Sequence, residues 1–277
     1  VHNLILAPLH IGKLVGFTEK LYKANNGTEL TYIEDPYPFE NSIGESKILF
    51  VFQSLGDEKS EDPVKRFPYT LLSGLRYFNC RKIYIKDDKE IVGDYYLGSN
   101  GSFDTKHAVI ELMTNKIREY KILMENVTLF GFSKGGYAAL LFGHEISVGA
   151  VICAVPQFDL VKWIDKYKSH LSYIYPENPT EEQKSVYASY LKEIIEKSIH
   201  SPKRIYIITS HNDDTYIDHI PPLILSIQNK GQSNLKTFHN DEFFVTRHNN
   251  VVKNSMNEIL AILSYELSEL RKNSFFM

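Results

Sequence analysis

Asn126-Val127-Thr128-Leu129-Phe130-Gly131-Phe132-Ser133-Lys134-Gly135-Gly136-Tyr137-Ala138-Ala139-Leu140 reads as a strand, a sharp turn and a helix in quick succession. The apolar, β-branched run before Gly131 is strand-like, and the Ala- and Leu-rich run after Gly136 is helix-like. Between them stands Gly-x-Ser-x-Gly, which in this context is a nucleophile elbow. The turn is so tight that the residues two before and two after the serine must lack bulk, hence Gly131 and Gly135. Gly136 and Ala138 let the helix lie close to the sheet.

The same alternation continues outward in both directions. Strand-like runs occur at Glu29–Glu34, Lys47–Gln53, Lys82–Lys86, Gly149–Ala154, Lys203–Thr209 and Leu235–His239. Amphipathic helical segments lie at Pro63–Phe78, Lys106–Met124, Lys134–His144, Tyr216–Asn229 and Val251–Lys272. This order predicts an α/β fold of α/β-hydrolase type: a mainly parallel sheet with helices on both faces. Lys47–Gln53 and Arg204–Thr209 are nearly unbroken apolar runs, as central parallel strands are. The stretch from Phe158 to His200 breaks the rhythm. It is helical, rich in Lys and Tyr, and interrupted by Pro176-Glu177-Asn178-Pro179, so we expect a helical cap at about 158–200 inside a single domain of residues 1–277.

Bulk properties narrow the function. At 43% hydrophobic residues the 277-residue chain can bury a large core. Its net charge of −3 supplies no basic field for nucleic acid. Cys80 and Cys153 read as buried thiols rather than a disulfide framework, and the scattered histidines show no metal-ligand spacing. No apolar run is long enough to span a membrane. Residues Val1–Val15 are apolar but lack a basic run and a small-residue cleavage site, so they are not read as a signal peptide. The expectation is a cytoplasmic protein, with a homo-oligomer left open.

A serine nucleophile needs an imidazole to take its proton and a carboxylate to orient the ring. On this fold the chain order is Ser, acid, His. After Arg204–Thr209 comes Ser210-His211-Asn212-Asp213-Asp214-Thr215-Tyr216, with two carboxylates at the end of a strand. After Leu235–His239 comes Phe243-Phe244-Val245-Thr246-Arg247-His248-Asn249-Asn250, leading into the last helix. His248 is favoured over His239 as base because it lies just before that helix. Spacing alone does not separate Asp213 from Asp214, and the one that is not the acid reads as a helix N-cap. For the oxyanion hole, one donor is expected from the amide of Lys134 and the other from Gln53 or Ser54, after the strand at Lys47–Gln53. The Lys134 side chain is a candidate for attracting an anionic acyl donor, with a solvated lysine at the helix start as the alternative.

Gly-Phe-Ser-Lys-Gly-Gly, Val155-Pro156-Gln157, Asp213-Asp214-Thr215-Tyr216 and Arg247-His248-Asn249, in that order, resemble the capsular polysaccharide O-acetyltransferases of α/β-hydrolase type. In that family the elbow reads Gly-Ser-Ser-Lys-Gly-Gly and the next strand ends in Ala-Pro-Gln. The acid lies in Asp-Asp-Ser-Tyr and the base in Gly-His-Asp-Asn. The resemblance runs from about residue 126 to 255, and the first 45 residues match nothing familiar. It implies Ser133 as nucleophile, His248 as base and Asp214 as its carboxylate partner. It also implies acetyl-CoA as co-substrate, with no bound cofactor, and sugar hydroxyls of a capsular or surface polysaccharide as acceptor. The glycines usual before the acid and before the base are replaced here by His211 and Arg247, which bears on donor and acceptor specificity.

If the acceptor is a glycan, the cap offers Trp163 and Tyr167, with Tyr173 and Tyr175, to stack on sugar rings. Lys162, Lys166 and Lys168 would meet an anionic group on the polymer. A Trp and several Tyr at helical spacing more often pack than form a glycan platform. Two other functions use the same residues: a serine carboxylesterase or glycan deacetylase with water as acceptor, and a non-catalytic hydrolase-like protein of glycan assembly or export.

Overall fold

A computed structural model describes residues 13–14, 16–38, 47–167, 169–231 and 234–268. The elements run β1 (Lys13–Leu14), β2 (Phe17–Lys23), β3 (Glu29–Asp35), β4 (Ile48–Phe52), α1 (Pro63–Arg66), β5 (Arg81–Ile85) and α2 (Asp104–Glu119). They continue with β6 (Val127–Phe132), α3 (Lys134–Ile146), β7 (Ala150–Ala154), α4 (Leu160–Tyr167), α5 (Glu181–Lys197) and β8 (Arg204–Thr209). The last are α6 (Tyr216–Asn229), β9 (Leu235–His239), α7 (His248–Asn254) and α8 (Met256–Leu267).

The strands form one sheet in the order β1-β2-β3-β5-β4-β6-β7-β8-β9. From β5 to β9 every pairing is parallel, and β1, β2 and β3 extend the sheet antiparallel. This is the mainly parallel, helix-covered α/β-hydrolase-like sheet that the alternating pattern predicts. The N-terminal segment therefore supplies extra strands.

Residues along β4 alternate between the two faces. Ile48, Phe50 and Phe52 pack with α2, α3, α5 and α6, whereas Leu49 and Val51 pack with α8. Every residue of β4, β6 and β7 is buried, which is why these strands read as unbroken apolar runs. At the far end of the chain, the buried Glu266 of α8 accepts from Arg204 at 2.7 and 2.9 Å and from the Tyr206 hydroxyl at 2.7 Å. These bonds fasten the final helix to β8. Cys80 and Cys153 are buried free thiols, and burial pushes Cys80 up to about 12.

Two expectations change. The helix predicted over Pro63–Phe78 is only α1, because Pro68 forces Phe67 out of the helical region and turns follow. The final helix is two, starting at His248 and broken at Ser255. Within the stretch at 158–200, Leu160, Trp163, Ile164, Leu171, Tyr175, Leu191 and Ile195 belong to the main core. Among the described residues no helix is long and apolar enough to cross a membrane.

Candidate active site

The chain crosses from β6 into α3 at Ser133, whose backbone sits at φ 51° and ψ −113°. A non-glycine residue there carries about 1–3 kcal/mol of strain, which the surrounding fold must hold in place. Close packing explains the flanking glycines. A Cβ on Gly131 would lie 2.2 Å from the Gly135 carbonyl oxygen, and one on Gly135 would lie 2.5 Å from the Phe52 carbonyl oxygen. The Ser133 N–H donates to the Ala154 carbonyl at 2.9 Å, which ties the elbow to β7.

Ser133 Oγ lies 3.0 Å from His248 Nε2, although the two residues are 115 positions apart. On the other side of the ring, His248 Nδ1 lies 2.9 Å from Asp213 Oδ2. The Asp213 carboxylate is 5% exposed, and its other oxygen accepts from the Thr215 N–H at 2.8 Å and the Thr215 hydroxyl at 2.9 Å. Burial alone would raise the Asp213 pKa. The bond to His248, its charge and the two Thr215 donors outweigh burial, and the carboxyl ends below its ordinary value.

The carboxylate on the imidazole is thus Asp213, not the expected Asp214. Asp214 is exposed, and its Oδ1 accepts from the backbone N–H of His248 at 3.3 Å. The turn after β8 folds the first carboxylate inward and leaves the second at the pocket rim, caught on the first residue of α7. It does serve as a helix-start acceptor, but for a different helix from the one that follows it.

The expected oxyanion donors are placed as follows. Lys134 opens α3, so its amide has no intrahelical acceptor and stands next to the nucleophile. Gln53 and Ser54 are engaged elsewhere: the Gln53 N–H donates to the Tyr96 hydroxyl at 2.6 Å and the Ser54 N–H to Thr70 Oγ1 at 3.1 Å. Leu55 is the next residue, and it lines the pocket at Ser133. No hydrogen bond involves its N–H among the described residues.

The Lys134 side chain is neither solvated nor open to a substrate. It is fully buried, with Nζ 2.9 Å from Asp87 Oδ2 and 2.9 Å from the Val92 carbonyl. Such a pair holds its first residue in place and cannot release a cation to a ligand without leaving a buried charge alone. Behind it, burial and the Asp87 charge push the Asp94 carboxyl well above its usual range, while Thr105 donates to it at 2.6 Å.

The aromatic platform does not form as expected. Trp163 is buried and lies 6.2 Å, ring centre to ring centre, from both His248 and His219, so it walls the site rather than offering an open face. Tyr175 is core, and the Tyr173 hydroxyl donates to the Gly93 carbonyl at 2.6 Å. The side chain of Tyr167, and Lys168 altogether, lie outside the described residues. Lys166 pairs with Asp218 at 3.0 Å. The basic side chains at the site are instead Arg247 and Lys253. They line a pocket of about 590 Å³ together with Ser133, Leu55, Trp163, Asp214 and His248, and neither has an ion-pair partner among the described residues. Sequence reasoning marked Arg247 only as a departure beside the base that bears on specificity, and it passed over Lys253.

Beyond the acid loop, His211, His239 and Asp241 are exposed, with ligand-type atoms within 4.8 Å of one another. Asp241 accepts from the His211 ring at 2.7 Å, the His211 N–H at 2.7 Å and the Ser210 hydroxyl at 3.1 Å. The carboxylate thereby clamps the loop after β9 to the loop that carries Asp213.

No family profile matches the chain, and no curated protein matches it. Solved structures do. The capsule O-acetyltransferase of Neisseria meningitidis serogroup A superposes with a TM-score of 0.71 at 16% identity, covering 95% of this chain and 99% of that one. A variant of the same enzyme in complex with CoA gives 0.70 at 16%, covering 94% and 99%. A chain of the Glycosylation Associate Protein complex of Streptococcus agalactiae gives 0.66 at 16%, covering 93% of this chain and 47% of that one. FphF, a fluorophosphonate-binding serine hydrolase of Staphylococcus aureus, gives 0.61 at 12%, covering 91% and 98%. Likeness at these identities establishes the fold, which these proteins share.

Proposed function

We propose that this protein is an O-acetyltransferase that moves an acetyl group from acetyl-CoA to sugar hydroxyls of a capsular or surface polysaccharide, in the cytoplasm. The observation that carries the reading is the unbroken line Ser133 Oγ, His248 Nε2, His248 Nδ1 and Asp213 Oδ2, with contacts of 3.0 and 2.9 Å, on a strained elbow. In this line His248 takes the Ser133 proton as Oγ attacks the thioester carbon, then delivers it to the leaving sulfur. It next takes the proton of the acceptor hydroxyl as that oxygen bonds to the acetyl carbon, and returns it to Ser133 Oγ as the Oγ–carbon bond breaks. The amides of Lys134 and Leu55 are the proposed oxyanion donors.

The transferase reading rests on the order of the four motifs, on the shared fold of the serogroup A enzyme and on the unpaired Arg247 and Lys253 at the mouth. Those two cations suit the phosphates of a CoA donor. With this triad, water as acceptor would make the same site an esterase or deacetylase, since the pockets choose the acceptor.

The deciding experiment is CoA thiol release from acetyl-CoA by the wild type and Ser133→Ala, with and without capsule oligosaccharides. Release that needs both Ser133 and a glycan is expected. Serine-dependent release without any glycan reassigns the protein to hydrolysis. If there is no release and Ser133 does not react with a fluorophosphonate, the protein is a non-catalytic member of a glycan-assembly system.

A further inference from the structure

Gln157 follows β7 in the Val155-Pro156-Gln157 segment and is fully buried. Its carboxamide Nε2 lies 2.5 Å from Ser133 Oγ, and its Oε1 has no hydrogen-bond partner among the described residues. The nucleophile is therefore touched from two sides, by His248 Nε2 and by Gln157.

Counting protons decides which way the amide faces. The Asp213 carboxylate only accepts, so the hydrogen of a neutral His248 ring sits on Nδ1, 2.9 Å from it. His248 Nε2 then carries a lone pair, and the single Ser133 hydroxyl hydrogen points to it across 3.0 Å. Oγ has only acceptor capacity left, so its second neighbour must bring a hydrogen. A carboxamide turned the other way would set Oε1 against His248 Nε2 in competition for one proton and would draw the serine off its base.

We propose that Gln157 is a fourth catalytic residue, whose side-chain N–H donates to Ser133 Oγ and stabilises the charge that oxygen carries as its proton leaves. The inference rests on the serine acyl-transfer reading above. In acylation the Oγ–carbon bond forms, the Oγ proton passes to His248 Nε2, and the bond to the leaving group breaks as His248 returns the proton to it. Charge on Oγ peaks while the proton is in transit, and the Gln157 N–H meets it there. Once acylated, Oγ is an ester oxygen and a poorer acceptor, so the amide hydrogen is released. In the second half-reaction the acceptor oxygen bonds to the acyl carbon, its proton passes through His248 Nε2 to Ser133 Oγ as the Oγ–carbon bond breaks, and the same N–H meets the departing Oγ. The fixed donor thus serves both half-reactions.

The test uses the whole protein with p-nitrophenyl acetate turnover and the second-order rate of fluorophosphonate labelling. A wild type that neither turns over nor labels overturns the acyl-transfer reading itself, and this inference with it. With an active wild type, Gln157→Ala should lower kcat and the labelling rate by about 10- to 100-fold, with KM within twofold. Gln157→Glu preserves shape and supplies a reading even if the alanine variant fails to fold. Only its protonated carboxyl can donate to Oγ, so the ratio of its rate to the wild-type rate should rise several-fold from pH 8 to pH 5.5. Gln157→Ala within threefold of wild type, or a Gln157→Glu ratio that stays flat with pH, overturns the assignment.

Discussion

Asp213 and Asp214 are consecutive in the chain and hold different parts of the same histidine: Asp213 Oδ2 meets His248 Nδ1 at 2.9 Å, and Asp214 Oδ1 meets the His248 backbone N–H at 3.3 Å. Only the first bond fixes the ring's tautomer and stabilises its cation during turnover. The first prediction follows from that division. Asp213→Asn should lower kcat by about 10³- to 10⁴-fold, and Asp214→Asn by less than tenfold, in ester turnover. A larger loss for Asp214→Asn would move the acid back to that position.

Gly135 gives a prediction about the elbow. An added methyl group would sit 2.5 Å from the Phe52 carbonyl oxygen, which is main chain and cannot swing aside. Gly135→Ala should destabilise by about 1–3 kcal/mol or more in urea unfolding and abolish turnover, because β4 and α3 must separate to admit it. Wild-type activity from this variant would show that the approach of the two elements is looser than described.

Lys134 and Asp87 are both fully buried and 2.9 Å apart. Lys134→Met leaves the Asp87 carboxylate unpaired and should cost about 3–5 kcal/mol. Adding Asp87→Asn should recover much of that loss, because the stranded charge disappears. If urea midpoints show the two losses to be additive, the pair is not coupled as the geometry requires.

His219 makes acid sensitivity part of the fold. It is buried, its Nδ1 accepts from the Phe158 N–H at 3.2 Å, and burial holds its pKa down at about 4. The folded value lies below the unfolded one of about 6.5, so the unfolded chain takes up the proton first. The contribution of this group is complete above pH 6.5 and is lost as pH falls toward 4, about 3 kcal/mol over that window. Unfolding midpoints between pH 7.5 and 4.5 should show it, and His219→Gln should flatten the dependence. An equally steep profile in that variant would assign the sensitivity to other groups.

The strands on either side of the elbow were readable because burial on both faces demands apolar residues at every position, and β4, β6 and β7 obey that rule. The elbow was readable because its pattern is local and Gly131 answers to the Gly135 carbonyl four residues on, whereas the need at Gly135 comes from Phe52 on β4 and is not visible in the spacing. Asp213 was not separable from Asp214, since a turn between two adjacent residues decides which side chain points inward. The burial of Lys134 was invisible because its partner lies 47 positions earlier. The same holds for Gln53 and Ser54, whose amides are taken by Tyr96 and Thr70 across long stretches of chain. Gln157 stood within a quoted motif, but nothing in its spacing revealed that it touches the nucleophile. Position along the chain reports periodicity and local sterics well, and long-range partners hardly at all.

The chain has one tryptophan, and it stands 6.2 Å from the ring of His248 and 6.2 Å from that of His219. Indole emission is sensitive to a nearby imidazolium and to the polarity of its surroundings. Trp163 therefore places an intrinsic fluorophore beside the line of Ser133, His248 and Asp213. Protonation of either neighbour and, on the proposed function, arrival of a donor or formation of an acyl-enzyme should each register in stopped-flow emission, without attaching a dye and without a second tryptophan to subtract.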